Sequence, residues 1–121
     1  MRNYKNLKAF QFADELALMV YAATKTFPRD ELFGLTNQLR RAAVSVASNI
    51  VEGSARKSKA DYVHFLFMAY GSSCEIEYQL SLAFRLGYLD QTHYEPLHAK
   101  SIETSKTLNG LIRSLQTVPD A

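Results

Sequence analysis

Five cations fall within residues 40–59: Arg40, Arg41, Arg56, Lys57 and Lys59. Cations gathered in this way can neutralise phosphates, and binding of that kind weakens steeply with salt. Two blander readings stand beside it. Arg56, Lys57 and Lys59 could be a solvated break between helices, where basic residues are common. Arg41 could be partly buried and paired with Glu52 or Glu75, on its own chain or a neighbouring one, since a guanidinium suits forked pairing.

A second group, Asn49, Glu52, Glu75 and Gln79, could suggest acid–base chemistry. Paired carboxylates need a cleft and a polarised substrate to act, and the sequence indicates neither. A hydrogen-bonded network that includes Arg41 and fixes helix register is the simpler expectation. Gln79 lies one turn beyond Glu75, so both can reach one partner. The three histidines, His64, His93 and His98, do not form a metal motif. His93 and His98 are five apart, there is no HExxH or Glu-x-x-His pair, and Cys74 is the lone cysteine. Cys74 falls on an apolar stripe and is expected to be a small core residue. No glycine-rich phosphate loop exists. Neither an enzyme nor a metal or other cofactor is expected.

Four helices must position these groups. The first is predicted over Leu7 to Thr26, with Phe10, Ala13, Ala17, Val20 and Thr24 on one face and Phe12, Met19 and Ala23 on a second. The second starts near Asp30 or Glu31, where acidic residues suit the positive end of a helix, and ends or loosens at Gly53. Leu32, Leu35, Leu39, Ala43, Val46 and Ile50 share its main face, and Asn37, Arg41, Ser45, Ser48 and Glu52 its polar ridge. Phe33, Val44 and Val51 make a third line beside Arg40. The third helix is predicted over Lys59 to Leu86, opened by Ser58 as N-cap and stopped by Gly87. Tyr62, Leu66, Ala69, Ser73, Ile76, Leu80 and Phe84 form one stripe, and Val63, Phe67, Tyr70, Cys74 and Tyr78 another. Gly71 in mid-helix calls for a packing reason, such as a backbone coming close. The fourth is capped by Asp90 or Thr92, carries Pro96 near its first turn and ends at Pro119. Its seam is Leu97, Ser101, Thr104, Leu108, Leu111 and Leu115.

Short connectors between such helices give an all-α, antiparallel, up-down-up-down four-helix bundle. The 121 residues fit one domain, residues 1–121, large enough for a core of its own. With one cysteine, no leader and no apolar run of about 20 residues, the chain reads as soluble and cytoplasmic, with no membrane partner. The net charge of +2 is divided unevenly. Residues 1–59 hold ten Lys or Arg against five Asp or Glu, and residues 60–121 four against seven. Such a chain can attract an anionic partner or pair with itself. A lone bundle buries one stripe per helix, whereas three of these helices carry two. The surplus predicts a homo-oligomer using Phe12, Met19, Phe67, Tyr70 and Tyr78.

The stretch FPRDELFGLTNQLRRAAVSVASNIVEG, then Arg56, Ser58, the run DYVHFLFMAYGSSCEIEYQL and LGYL, resembles the four-helix-bundle proteins encoded within intervening sequences of bacterial 23S rRNA genes. The match is dense over about half the chain. The family often has Trp where this chain has Phe10, and a Lys-like residue at Phe12. The resemblance implies an antiparallel bundle assembled as a homopentamer. It also implies kinship with the pentameric accessory protein of diversity-generating retroelements, which binds nucleic acid and a reverse transcriptase through a basic surface. Two functions are therefore expected. The first is a non-enzymatic oligomer that grips the RNA or DNA backbone through repeated patches of Arg40, Arg56, Lys57 and Lys59. The alternative is an adaptor assembly that docks a protein partner and never touches nucleic acid.

Overall fold

In a computed structural model, residues 2–117 can be described, and they form four helices and no strand. The helices are α1 (Lys8–Thr24), α2 (Leu35–Ser54), α3 (Lys59–Arg85) and α4 (Gln91–Thr117). Short 3-10 turns, Tyr4–Asn6 and Arg29–Glu31, precede α1 and α2. Each helix packs on its neighbours in sequence, and α4 closes the set against α1. The core is filled by Leu16 and Val20 of α1, Leu39, Val46 and Ile50 of α2, Leu66, Ile76 and Leu80 of α3, and Leu108 and Ile112 of α4. Leu16 and Ile112 were not on the stripes drawn from spacing; each lies one helical position from a predicted member and takes the more central place.

The helix ends explain most differences from the sequence reading. α1 stops at Thr24 rather than Thr26, because Pro28 disfavours helical geometry at Phe27. Phe27 is instead buried, its ring 5.6 Å from that of Tyr88. α2 begins at Leu35, four residues after Glu31. The reason is that Glu31 acts from outside the helix. Its Oε1 accepts the backbone N–H of Leu35 at 3.0 Å, one of the orphan donors of a helix start, and its Oε2 accepts the Tyr88 hydroxyl at 2.8 Å. A Cβ on Gly34 would stand 2.6 Å from that Oε1, so a side chain there would push the carboxylate off its bond to Leu35. Leu32 and Phe33 consequently lie before the helix and project outward, Phe33 being 91% exposed.

Ser58 caps α3 as predicted, accepting the Asp61 N–H at 3.1 Å. Gly87 has φ of 83° and closes α3, with N–H bonds from Gly87 to Phe84 O and from Tyr88 to Ala83 O. Asp90, not Thr92, caps α4 by accepting the His93 N–H at 2.9 Å. Pro96 is the sixth residue of α4 and removes one helical N–H on its exposed side. Pro119 lies outside the described residues.

The buried hydroxyls between α3 and α4 are satisfied locally. Ser105 donates to Glu77 Oε2 at 3.1 Å, so Ser73, 2.7 Å from Ser105 Oγ, can be the donor in that pair. Thr104 and Ser101 donate back to Lys100 and His98 carbonyls. Between α1 and α4, Lys100 reaches Glu15 and Glu103, each at 2.8 Å, and its ammonium lies 4.7 Å from the centre of the Phe12 ring. Both carboxylates push the Lys100 ammonium above its ordinary range.

Gly53 is not a helix stop. It is buried one residue inside α2, where an added Cβ would come 2.8 Å from Phe65 Cβ and 3.2 Å from the Tyr62 ring. Gly71 shows the opposite: among the described residues, nothing outside its own helix backbone lies within 4 Å of where its Cβ would be. The close approach expected there is made at Gly53 instead. Cys74 is exposed rather than a core residue.

Two measurements test this account. Gly53→Ala forces an overlap that Phe65 Cβ, fixed to its backbone, cannot avoid, and should cost about 1–3 kcal/mol in urea unfolding. Glu31 is held below its ordinary carboxylate value of 4.5, first by the Leu35 N–H and then by the Tyr88 hydroxyl. Its contribution is therefore complete above pH 4.5 and fades as pH falls through the lowered value. The melting-temperature gap between the natural chain and Glu31→Gln should be largest at neutral pH and should close in acid.

Candidate nucleic-acid interface

α2 and α3 are joined by residues 55–58, which include Arg56 and Lys57. The turn is tight because Ala55 and Arg56 donate their N–H groups back to Glu52 and Gly53 carbonyls. Arg56 pairs with Glu52 at 2.8 Å, one turn earlier, and its guanidinium carbon lies 4.6 Å from the centre of the Phe65 ring. An aromatic face backs the cation without consuming its outward donors. Lys57 is exposed, and Lys59 opens α3 half-buried.

The structure adds a residue to this cluster that spacing could not. Arg2 is tied to the α2–α3 turn. Its N–H donates to Ser54 O at 3.2 Å, its Nη1 donates to Arg56 O at 2.7 Å, and its guanidinium lies 4.3 Å from the centre of the Tyr62 ring. Burial pushes the Tyr62 hydroxyl above its ordinary value, and the Arg2 charge draws it partly back. Two guanidinium groups thus lie on two neighbouring rings of α3. Arg2, Arg56 and Lys57 border one open depression of about 630 Å³; Arg2 and Lys5 border a second of about 440 Å³. The available signal was Tyr62 and Phe65, aromatic residues one turn apart beside a basic connector.

Arg40 does not join this cluster. It lies fourteen residues before Ser54, the last residue of α2, about 21 Å from that end at helical rise. Its Nε donates to Thr24 Oγ1 at 2.9 Å, and its guanidinium stands over Tyr21. Arg40 fastens α2 to α1.

The polar group is brought together only in part. Arg41, Glu75 and Gln79 border one depression between α2 and α3, with Asn37, Gln38, Ser45 and Ser72. Arg41 and Glu75 are both exposed, and among the described residues no hydrogen bond or ion pair joins them. Glu52 turns to Arg56 instead. Asn49 donates to Ser45 O and Oγ, and Ser45 and Ser72 hydroxyls lie 3.0 Å apart. The link across this seam is therefore Asn49–Ser45–Ser72. Gln79 is 8% exposed, and its Oε1 has no partner.

The residues expected at an oligomer contact divide by helix. Phe67 and Tyr78 stand out from α3 at 49% and 61% exposure, while Tyr70 is half-buried. Phe12 and Met19 are half-buried against their own chain, Phe12 beneath Lys100. Among the described residues, no group of three or more His, Cys, Asp or Glu could hold a metal ion, and no helix is long and apolar enough to cross a membrane.

Comparison with solved structures finds a protein of unknown function from the S23 ribosomal protein family of Bacteroides thetaiotaomicron, 27% identical, with a TM-score of 0.78. The alignment covers 87% of this chain and 98% of that one. Comparison with curated proteins finds no match. Residues 5–110 match the family described as 23S rRNA-intervening sequence protein. That span includes all of α1, α2 and α3 and most of α4, and the chain accordingly belongs to the 23S rRNA-intervening sequence protein family.

Proposed function

We propose that this is a non-enzymatic, cytoplasmic helical protein that assembles into a homo-oligomer and binds the backbone of RNA or DNA through the basic end of each bundle. The observation that carries this reading is the paired placement of Arg2 and Arg56 on the Tyr62 and Phe65 rings, beside Lys57. Held there, the guanidinium groups lose little side-chain freedom when they meet phosphate, and their fork geometry suits its oxygens. Lys59 extends the patch at the start of α3. The contact is to backbone, so it reads little sequence.

Contacts near the turn and farther from it, Arg56 with Phe65 and Ser45 with Ser72, support helices that alternate in direction. Assembly is supported by the outer row of α3, where Phe67, Met68 and Tyr78 remain exposed around the open Gly71. Burying such a row returns about 25 cal/mol per Å². The family resemblance makes the homopentamer the expected form. A ring would repeat the basic end, and avidity would offset weak single contacts.

Electrophoretic shift over a salt series tests the binding. Changing Arg56, Lys57 and Lys59 together to Ala should weaken binding and flatten the slope of log K against log salt by about 2–3, at roughly 0.7–0.9 per phosphate contact. Arg40→Ala should leave that slope unchanged and instead lower stability by about 1–2 kcal/mol, through the lost bond to Thr24 and the lost Tyr21 contact. Absence of any shift at low salt would favour the adaptor reading, in which the assembly docks a protein. Light scattering on dilution should show an oligomer at micromolar concentration, and Phe67→Glu with Tyr78→Glu should dissociate it while helicity is retained. A natural chain that is monomeric under those conditions would end the assembly proposal.

A further inference from the structure

The depression between α2 and α3 is built unlike the basic end. Its walls differ in hydrogen-bonding character. The α3 wall offers an acceptor, the Glu75 carboxylate, and carries the Gln79 amide, whose oxygen is enclosed. The α2 wall offers the Arg41 guanidinium, a donor only, and the Asn37 and Gln38 amides, which can donate as well as accept. Ser45 and Ser72 form a narrow floor and are already bonded to each other. Its volume, about 440 Å³, falls within the range of small-ligand pockets, roughly 300–1,000 Å³.

Gln79 is the telling member. Its Oε1 is enclosed and unpartnered, an arrangement native proteins generally avoid unless a partner arrives. Turning the terminal amide over about its last torsion would present that oxygen to a donor entering the cleft and enclose the NH2 in its place. Glu75, one turn earlier on α3, offers a second acceptor beside it. Arg41 and Glu75 balance in charge, so a bare phosphate would meet a carboxylate and is disfavoured.

We propose that this cleft holds a guanine base. Guanine carries adjacent N–H donors, N1–H and the N2 amine, on one edge, and the acceptors O6 and N7 on the next. The donor edge matches Glu75 and Gln79; the acceptor edge matches Arg41 and the Asn37 and Gln38 amides. Adenine and cytosine each bring one exocyclic amine next to an acceptor, and uracil a single N–H between two carbonyls, so none offers the Glu75 carboxylate two adjacent donors. The base can come from a free nucleotide or from a single strand. For the strand, the inference rests on the backbone-binding reading above. The seam that passes Arg56 on Phe65 and Ser45 on Ser72 leads from the basic end to this cleft, with Arg41 about 20 Å from the Ser54 end of α2.

Calorimetric titration of the full chain with guanosine, inosine, adenosine and cytidine tests the cleft without phosphate. Guanosine should bind, and inosine, which lacks the N2 amine, should bind at least about tenfold more weakly. Adenosine and cytidine should give no saturable heat. Gln79→Met removes the enclosed oxygen at similar volume; it should keep or raise the melting temperature and weaken guanosine at least about tenfold. Glu75→Gln, at an exposed position that leaves the fold intact, should weaken it likewise. Guanosine bound no better than adenosine, or unaffected by Glu75→Gln, overturns the proposal. Single-stranded hexamers with and without guanine, at two salt concentrations, separate the sources. Salt-dependent binding without guanine preference would sink the cleft and leave the basic end standing. Guanosine binding with no hexamer binding would support the cleft as a free-nucleotide site and count against the basic end.

Discussion

The approach of α2 to α3 at Gly53 is the constraint on which the rest of the molecule depends. A hydrogen atom in place of a side chain lets Phe65 and Tyr62 rest directly on the α2 backbone. That contact sets the distance between the two helices at the end where they turn. It also sets the rings of Tyr62 and Phe65 at the surface of the turn, where Arg2 and Arg56 settle on them. Farther along, the same seam is narrow enough for Ser45 and Ser72 to exchange a hydrogen bond and for Gln79 to be enclosed. A larger residue at position 53 would widen the seam and alter the basic end and the cleft together.

The opposite end of the bundle is fixed by polar contacts rather than by close backbone approach. Glu31 holds the start of α2 with one oxygen and the α3–α4 turn, through Tyr88, with the other. Phe27 packs on the same tyrosine. The Glu31 carboxylate accepts the Leu35 N–H and the Tyr88 hydroxyl, which is why its ionised form is favoured. The two ends thus use different chemistry for one task, keeping connectors short so that four stripes meet in one core. Buried hydroxyls in α3 and α4 do not weaken that core greatly, because each finds a partner within one turn or across one interface.

Charge and apolar surface are separated on the outside. The basic end gathers Arg2, Lys5, Arg56 and Lys57, while α3 shows Phe67, Met68 and Tyr78 along its length. A contact between copies through α3 would leave the basic ends open. This separation would let the proposed assembly and phosphate contact coexist in one small chain.

The sequence by itself determined the four helices, the caps at Ser58 and Gly87 and most of the core stripes, since these follow from local periodicity and from backbone preferences of single residues. It also carried enough ordered residues, Gln38 to Ala42 and Asn49 to Gly53 among them, to show the family. What it could not decide was which cations act together. Arg40 and Arg41 are adjacent in the chain, yet one is bound to Thr24 and the other borders the cleft, because neighbours on a helix point about 100° apart. Arg2 and Arg56 are fifty-four residues apart and touch. Spacing reports the face a residue occupies on its own helix; the neighbour that face meets is set by how the helices pack, and only the tertiary structure holds that information.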